Sequence, residues 1–394
     1  MAGIQEPLLP VPGFSFLGVN IGIKDERLDF GVAKSEIPCA AAAVFTRNNF
    51  PGAPVIVGRE HVRGGRLQAI VVNSKNANVA TGAAGVEHAR RVCGVLGDAL
   101  GVAPGLVLPS STGVIGVPLP VEKLVAACAK VPGLLAGGRD ALERFARAIM
   151  TTDTRPKAIS LKIGNANLSA VAKGAGMIEP HMATMLAYFF TDAAVPAAAL
   201  QPMLVRAVNR SFNRVSVDSD TSTSDTVVVL ANGKAGAVDA TAFEAALTEA
   251  ATYLAREIAR DGEGATKLID LTVAGAPTPE AALRFAKSIV NSPLVKTAIH
   301  GADPNWGRFV MAVGKVFEHP IPLERLAIRF GAEPDALVIT AAAQSPDALA
   351  AIARYLKRDE VRIEVHLNSG PHAERVWGCD LSEGYIRENA DYTS

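Results

Sequence analysis

The sequence predicts an α/β (α+β) protein in which mixed sheets and helices form layers. Three observations carry this. Short apolar runs of strand length alternate along the chain with longer stretches of helical period. Hydrophobic side chains make up 49% of the 394 residues, enough to bury a large core, and the length suggests two or three domains or lobes. No stretch reaches the ~18 consecutive apolar residues of a membrane span.

In chain order, LQAIVV at 67–72 reads as a buried strand, and residues 86–100 follow as a helix with Val86, Ala89, Val92, Leu96 and Ala99 on one face. Arg139 to Met150 repeats the helical pattern through Leu142, Phe145, Ala146 and Ile149. ISLKIGNANLSAVAKG, 159–174, alternates with period two around Gly164-Asn165, the signature of a hairpin. TMLAYFF from Thr184 reads as a buried strand. After it come a helix near 197–210, the strand VVVL at 227–230, a helix from about Ala242 to Arg260 and the strand KLIDLTV at 267–273. The strands RLAIRF, ALVIT and VRIEVHL, with a helix at about 346–357, suggest a separate C-terminal lobe over about 293–394. The alanine-rich runs at 40–43 and 193–199 are short and read as ordinary elements.

Charge and cysteine usage narrow the function classes. Lys plus Arg equals Asp plus Glu at 39 each, so no electrostatic footprint favours nucleic acid or an anionic membrane, and a small-molecule partner is expected. Cys39, Cys93, Cys128 and Cys379 form no CxxC pair, which argues against a structural metal site or a disulfide framework. The N-terminus lacks the basic start and apolar segment of a secretory signal, so a cytoplasmic location is expected. GxSxG, HExxH and GxxxxGK[ST] are absent, and the seven histidines are dispersed; neither a metal nor a bound cofactor is expected.

The stretch AKGAGMIEPHMATML, 172–186, carries the sharper signal. A threonine hydroxyl is a weak nucleophile unless a base lies beside it. Placing the threonine first in a chain supplies that base, because a free α-amine has a pKa of about 7.7–8.0. Thr184 is internal, so the backbone would have to be cut between Ala183 and Thr184, with the hydroxyl attacking the preceding carbonyl and water hydrolysing the ester. Gly174 and Gly176 give the approach segment conformational freedom, and small Ala183 leaves the attacked carbonyl open. The apolar strand behind Thr184 would hold the new chain end in the core. The plainer reading of Thr184 is a strand-forming residue in an uncut chain.

KGAGMIEPHMATML resembles the cleavage and nucleophile motif of the ornithine acetyltransferase family of arginine biosynthesis, also called glutamate N-acetyltransferase or the ArgJ type. VFTRNNFPGAPV, VVNSKNANVATG, SSTGVIG, MTTDTRPK, SFNRVSVDSDTSTSDT, DGEGATK, HGADPNWGR and WGCDLSEGYIRENADYTS resemble further family blocks, in the family's order and over essentially the whole chain. The resemblance implies an N-terminal-nucleophile architecture with a smaller second lobe, and self-cleavage into an α chain, 1–183, and a β chain, 184–394. It implies transfer of acetyl from N2-acetylornithine to glutamate through an ester on Thr184, and it leaves acetyl-CoA open as a second acetyl donor. Thr112 and Gly113 are carried over as the oxyanion hole, whose donors are worth about 3–4 kcal/mol each in comparable sites. Thr151, Lys173, Thr184, Glu263, Asn389 and Ser394 are carried over as substrate contacts, with Thr152 an alternative to Thr151. In that frame Lys173 offers a cation for a carboxylate and Glu263 an anion for an ammonium group. A heterotetramer of two α and two β chains is implied in the same way.

Lys75 and Ser219 stand where the family pattern leads one to expect glycine, and Val79-Ala80 replace an expected Ala-Cys pair. Two rival classes remain: a self-cleaving aminopeptidase-like hydrolase that passes the acyl group to water, and a binding or scaffold protein with an uncut Thr184.

Overall fold

The computed structural model describes residues 3–179 and 185–391. Among these the chain runs β1 (Phe14–Val19), β2 (Phe30–Phe45), α1 (Ala53–His61), β3 (Arg66–Asn73), α2 (Gly82–Leu100), β4 (Val107–Ser111), α3 (Val121–Cys128) and α4 (Arg139–Ala148). It continues with β5 (Lys157–Ile163), β6 (Ala166–Lys173), β7 (Leu186–Ala194), α5 (Ala197–Arg210), β8 (Val215–Ser216), β9 (Thr226–Ala237) and α6 (Ala240–Arg260). Last come β10 (Leu268–Ala276), α7 (Pro279–Val290), α8 (Pro293–His300), α9 (Gly307–Gly314), β11 (Ala327–Phe330), β12 (Leu337–Thr340), α10 (Pro346–Tyr355), β13 (Glu360–His366), β14 (His372–Cys379) and α11 (Glu383–Asp391). The mixed α/β class is as expected. No helix among the described residues is long and apolar enough to cross a membrane.

Two compact units divide the chain, one formed by 1–213 with 220–258, the other by 214–219 with 259–394. The second unit takes in β10 and α7, both of which precede residue 293.

The first unit is built on an eight-stranded sheet ordered β4-β3-β2-β9-β7-β6-β5, with β1 against β2. β7 lies between antiparallel β6 and parallel β9, and every residue from Leu186 to Ala193 is buried. That burial explains its continuous apolar sequence. Tyr188 and Phe190 turn to one face, where Phe190 meets Phe14, Phe16 and Phe145, while Phe189 meets Phe212 on the other. β5 and β6 form the expected hairpin, with Ile163 opposite Ala166 and Gly164 at φ 58°. A positive φ at the first of two turn residues is what a type II′ connection asks for. β2 was not expected as one strand. Its register shifts between Lys34 and Cys39, where Glu36, Ile37 and Pro38 are exposed. Proline cannot donate to a ladder, so the strand breaks step there; the residues before it pair with β1 and those after it with β9.

The second unit holds a six-stranded sheet ordered β12-β11-β13-β10-β14-β8. α7 buries Ala281, Ala282, Phe285, Ala286 and Ile289 in its core. Three helices of this unit open alike. Thr278, Ser292 and Ser345 accept from the N–H three residues on, and a proline takes the first helical position each time.

Candidate active site

Residues 180–184 lie outside the described residues, so Ala183 and Thr184 do too, as does Ser394. The chain on either side of 180–184 is held by one segment of the first unit, residues 220–226. Upstream, Ile178 forms an antiparallel bridge with Thr221, the Glu179 N–H donates to Asp220 O at 2.8 Å, and the Thr221 hydroxyl donates to Glu179 O at 3.0 Å. Downstream, the Met185 N–H donates to Asp225 Oδ1 at 2.9 Å and the Thr226 N–H to Met185 O at 3.1 Å. In the approach run Gly174 has φ 157°, and Met177, which is not a glycine, has φ 56°. The hydroxyl-rich block from Asp220 onward therefore braces Ile178 and Glu179 on one side and Met185 on the other. The block is braced in turn by residues 46–53: Thr46 Oγ1 donates to Ser222 O, Asn48 Nδ2 to Thr221 O and the Gly52 N–H to Thr223 O, at 2.6, 2.8 and 2.8 Å.

The next residue, Ala53, donates to Asn78 O at 3.0 Å and so joins this brace to the loop after β3. That loop seats Thr112 and Gly113 at the end of β4. Thr112 is 5% exposed. The Thr112 and Val114 N–H groups are spent on Asn73 O and Lys75 O. Between them, the Gly113 N–H and the Thr112 hydroxyl make no hydrogen bond of ordinary geometry to another described residue. Gly113 has φ 131°, and a Cβ there would overlap the Lys75 backbone. Glycine is thus required both by this close approach and by a φ that other residues rarely adopt. Lys75, Ala80 and Ser219 have φ of 78°, 58° and 67°. Lys75 and Ser219, the two positions where glycine is expected, thus keep the left-handed conformation without being glycine, at about 1–2 kcal/mol each, and Ala80, in place of the expected Cys, does the same.

Thr151 and Lys173 come together as the carried-over pattern requires. Lys173 is 5% exposed, and its Nζ donates to Thr151 Oγ1 at 3.2 Å. Behind them stands Asp153, a residue of the same MTTDT block to which the sequence assigned nothing. Its Oδ2 accepts the Thr151 N–H at 2.9 Å, and its Oδ1 accepts the Gly174 N–H and Lys157 Nζ, each at 2.6 Å. Both members of the Asp153–Lys157 pair have fully buried side chains. Burial alone would raise the Asp153 carboxyl, but Lys157 and Lys173 beside it hold it well below the usual carboxylate range. Lys24 closes the group. Its Nζ donates to Ser74 Oγ and Met150 O, each at 2.6 Å, which ties the loop after β3 to the Thr151 loop. Burial, helped by the Lys173 charge, outweighs Asp29 and Asp153 and pushes the Lys24 amine down to about 8.

Glu263 and Asn389 belong to the second unit, where Asn389 Nδ2 donates to Glu263 Oε2 at 2.8 Å. Glu263 lies in the turn after α6. Asp380 fastens this turn: its Oδ1 accepts the Thr266 and Lys267 N–H groups at 2.8 Å, and its Oδ2 meets the Thr266 hydroxyl and, at 2.7 Å, His300 Nδ1. Lys267 Nζ donates to Ile299 O and Leu356 O at 2.6 and 2.8 Å, at the ends of α8 and α10. Ser382 Oγ donates to Gly264 O, and a Cβ on Gly264, with φ 66°, would overlap the Tyr385 N. DGEGATK, the start of HGADPNWGR and WGCD thus converge on one knot that sets the Glu263–Asn389 pair. Burial raises the neighbouring Glu388 carboxyl, and the charges of Glu263 and Asp261 add to it.

No group of three or more metal-ligating side chains occurs among the described residues. All four cysteines are free and buried.

A family model described as the ArgJ family matches residues 15–394. An arginine biosynthesis bifunctional protein ArgJ 2 of Clostridium acetobutylicum is 47% identical over 97% of this chain and 97% of its own length. A glutamate N-acetyltransferase Oat2 of Streptomyces clavuligerus is also 47% identical, over 97% of this chain and 98% of its own. An arginine biosynthesis bifunctional protein ArgJ of Lactococcus lactis is 40% identical over the full length of both chains.

Proposed function

The chain belongs to the ArgJ family, and from that premise we propose that it is an acetyltransferase of arginine biosynthesis that moves acetyl from N2-acetylornithine to glutamate through Thr184. The observation that supports this most directly is the bracing of both flanks of residues 180–184 by residues 220–226. A self-cutting link needs its two sides held while the bond between them is exchanged.

The Thr184 hydroxyl attacks the Ala183 carbonyl, the peptide C–N bond breaks, and an ester to the hydroxyl replaces it. Water hydrolyses the ester, leaving a carboxylate on Ala183 and a free amine and hydroxyl on Thr184. That amine then takes the hydroxyl proton as the oxygen adds to the acetyl carbonyl of N2-acetylornithine. Thr112 Oγ1 and the Gly113 N–H, both left with donor capacity by the local geometry, receive the oxyanion. Ornithine leaves with the proton returned by the ammonium. The amine of glutamate attacks the acetyl ester, N-acetylglutamate departs, and the Thr184 hydroxyl is restored. Lys173 offers a cation for a carboxylate and Glu263 an anion for an ammonium group, while Thr151 and Asn389 fix orientation. Ser394 is carried as a further contact. Acetyl-CoA is a second donor to be tried in the same assay, and two copies of each chain form the assembly.

Intact-mass spectrometry of the wild type beside Thr184→Ala tests the reading. Two wild-type pieces of 183 and 211 residues are expected, with one acetyl group on the larger after incubation with N2-acetylornithine and none on an uncut T184A. An uncut, unlabelled wild type would refute the reading. Free acetate formed without dependence on glutamate would replace the transferase by a hydrolase.

A further inference from the structure

Glu388 stands one residue before Asn389 on α11 and has no part in the mechanism above. It is half-buried. Two adjacent residues of α11 here meet two adjacent residues of the turn after α6. Asn389 Nδ2 donates to Glu263 Oε2 at 2.8 Å, and the Gly264 N–H faces the Glu388 carboxylate and favours its charged form. The frame is fixed, since Asn389 Nδ2 also donates to Tyr385 O at 3.0 Å and a Cβ on Gly264 would overlap the Tyr385 N. The surroundings are acidic. Asp261, 4% exposed, lies in the same turn, and Asp218 meets the Tyr385 hydroxyl at 3.5 Å one helical turn before Glu388. Burial and the Glu263 charge, with Asp261 behind it, raise the Glu388 carboxyl against the pull of the Gly264 N–H.

The two substrates make opposite demands on this place. N2-acetylornithine carries its α-nitrogen as an amide, so its one ammonium group ends the side chain, and that is the group left for Glu263 to bind. Glutamate ends in a carboxylate. In both molecules the charged atoms stand the same number of bonds from Cα. A double displacement uses one site for both halves, so the two substrates lay their common α-nitrogen and α-carboxylate in the same places. Their side-chain ends then fall together, a cation in one half-reaction and an anion in the next. A fixed anion suits only the first.

We propose that Glu388 is a specificity-determining residue that changes its protonation with the substrate. Beside a side chain ending in an ammonium it is a carboxylate next to Glu263; beside one ending in a carboxylate it is a carboxylic acid whose O–H donates to the substrate. The inference rests on the acetyl-transfer reading and deepens it. The proton comes from solvent as glutamate binds and returns there as N-acetylglutamate departs. Two carboxyls crowded at one place resist being charged together, and the carboxylate of glutamate adds to that resistance where an ammonium relieves it.

Ornithine, the product, and glutamate, the acceptor, bind the unacetylated enzyme without reacting and differ only at the side-chain end. Their binding is followed by calorimetry at pH 7 in phosphate and in Tris, whose unlike heats of ionisation count the protons moved. The wild type is expected to take up about one more proton with glutamate than with ornithine. Glu388→Gln, with Glu388→Ala in case the first does not fold, should abolish that difference and raise KM for N2-acetylornithine about fivefold more than KM for glutamate. Equal proton counts for the two ligands in the wild type overturn the proposal, as does a difference that survives in the variant, which would put the proton on another group. Equal rises in both KM values with a lowered melting temperature would mark Glu388 as structural and overturn it too. A wild type that moves no acetyl from N2-acetylornithine to glutamate sinks the parent reading together with this one, whereas transfer with equal proton counts sinks this one alone.

Discussion

At the scale of single residues, the groups that organise the first unit's site are buried carboxyls. Asp153 holds Thr151 by its N–H, Gly174 by its N–H and Lys157 by its charge. Such a pair is poor evidence of net stabilisation, because desolvation offsets the attraction, but removing one partner strands the other. D153N is expected to cost about 3–5 kcal/mol, because the buried Lys157 loses the carboxylate it is paired with, and urea unfolding at pH 7 measures it. The pH dependence has a definite sign. The folded carboxyl lies below its unfolded value of about 3.9, so its contribution is present above pH ~4 and drains away as the pH falls further. The wild type should therefore lose more stability than D153N between pH 4 and pH 2. Sequence inspection singled out MTTDTRPK but took only its hydroxyl. An aspartate four residues before a lysine reads as a solvated pair unless the burial of both is known.

At the scale of elements, the knot around Asp380 shows why a turn can carry a binding residue without wandering. The turn after α6 is fixed by two backbone bonds to Asp380 and by the approach of Gly264 to the backbone at Tyr385. G264A must move that turn, at a strain of about 1–2 kcal/mol from its left-handed φ alone. The expected result is a rise of about tenfold in KM for N2-acetylornithine, with chain cutting intact by mass, since the turn lies in the other unit from the link that is cut. An unchanged KM would detach the Glu263–Asn389 pair from substrate binding. The helices α7 and α8 were missed in the sequence although Thr278-Pro279 and Ser292-Pro293 announce their starts. The apolar face of α7 is rich in alanine, which gives weak contrast against a chain rich in alanine throughout, and α8 spans only eight residues, too few for a clear period.

At the scale of the whole molecule, the proposed cut falls just before a central strand. β7 pairs along its length with β6 on one side and β9 on the other, and it is buried on both faces. Cutting at Ala183–Thr184 would break one peptide bond and none of these contacts. The two pieces are accordingly expected to elute from a sizing column as one species in native buffer and to separate only in denaturant. Free 211-residue chain in native buffer would show that the sheet does not hold it.

The sequence by itself determined the class of the fold, the buried strand behind Thr184, the β5–β6 hairpin and, through its ordered blocks, the family. These are legible because local period, turn residues and contiguous motifs are properties of neighbouring residues. Tertiary structure alone decided that residues 46–53, 73–78 and 220–226 brace the link, that Gly113 is glycine because Lys75 crosses it, and that Asp153, Asp225 and Asp380 are buried hubs. Burial and the bond from the Met185 N–H to Asp225 arise from contacts between segments far apart in the chain. A carboxylate in water and one sealed in a core have the same letter, and only the packing around them sets what each can do.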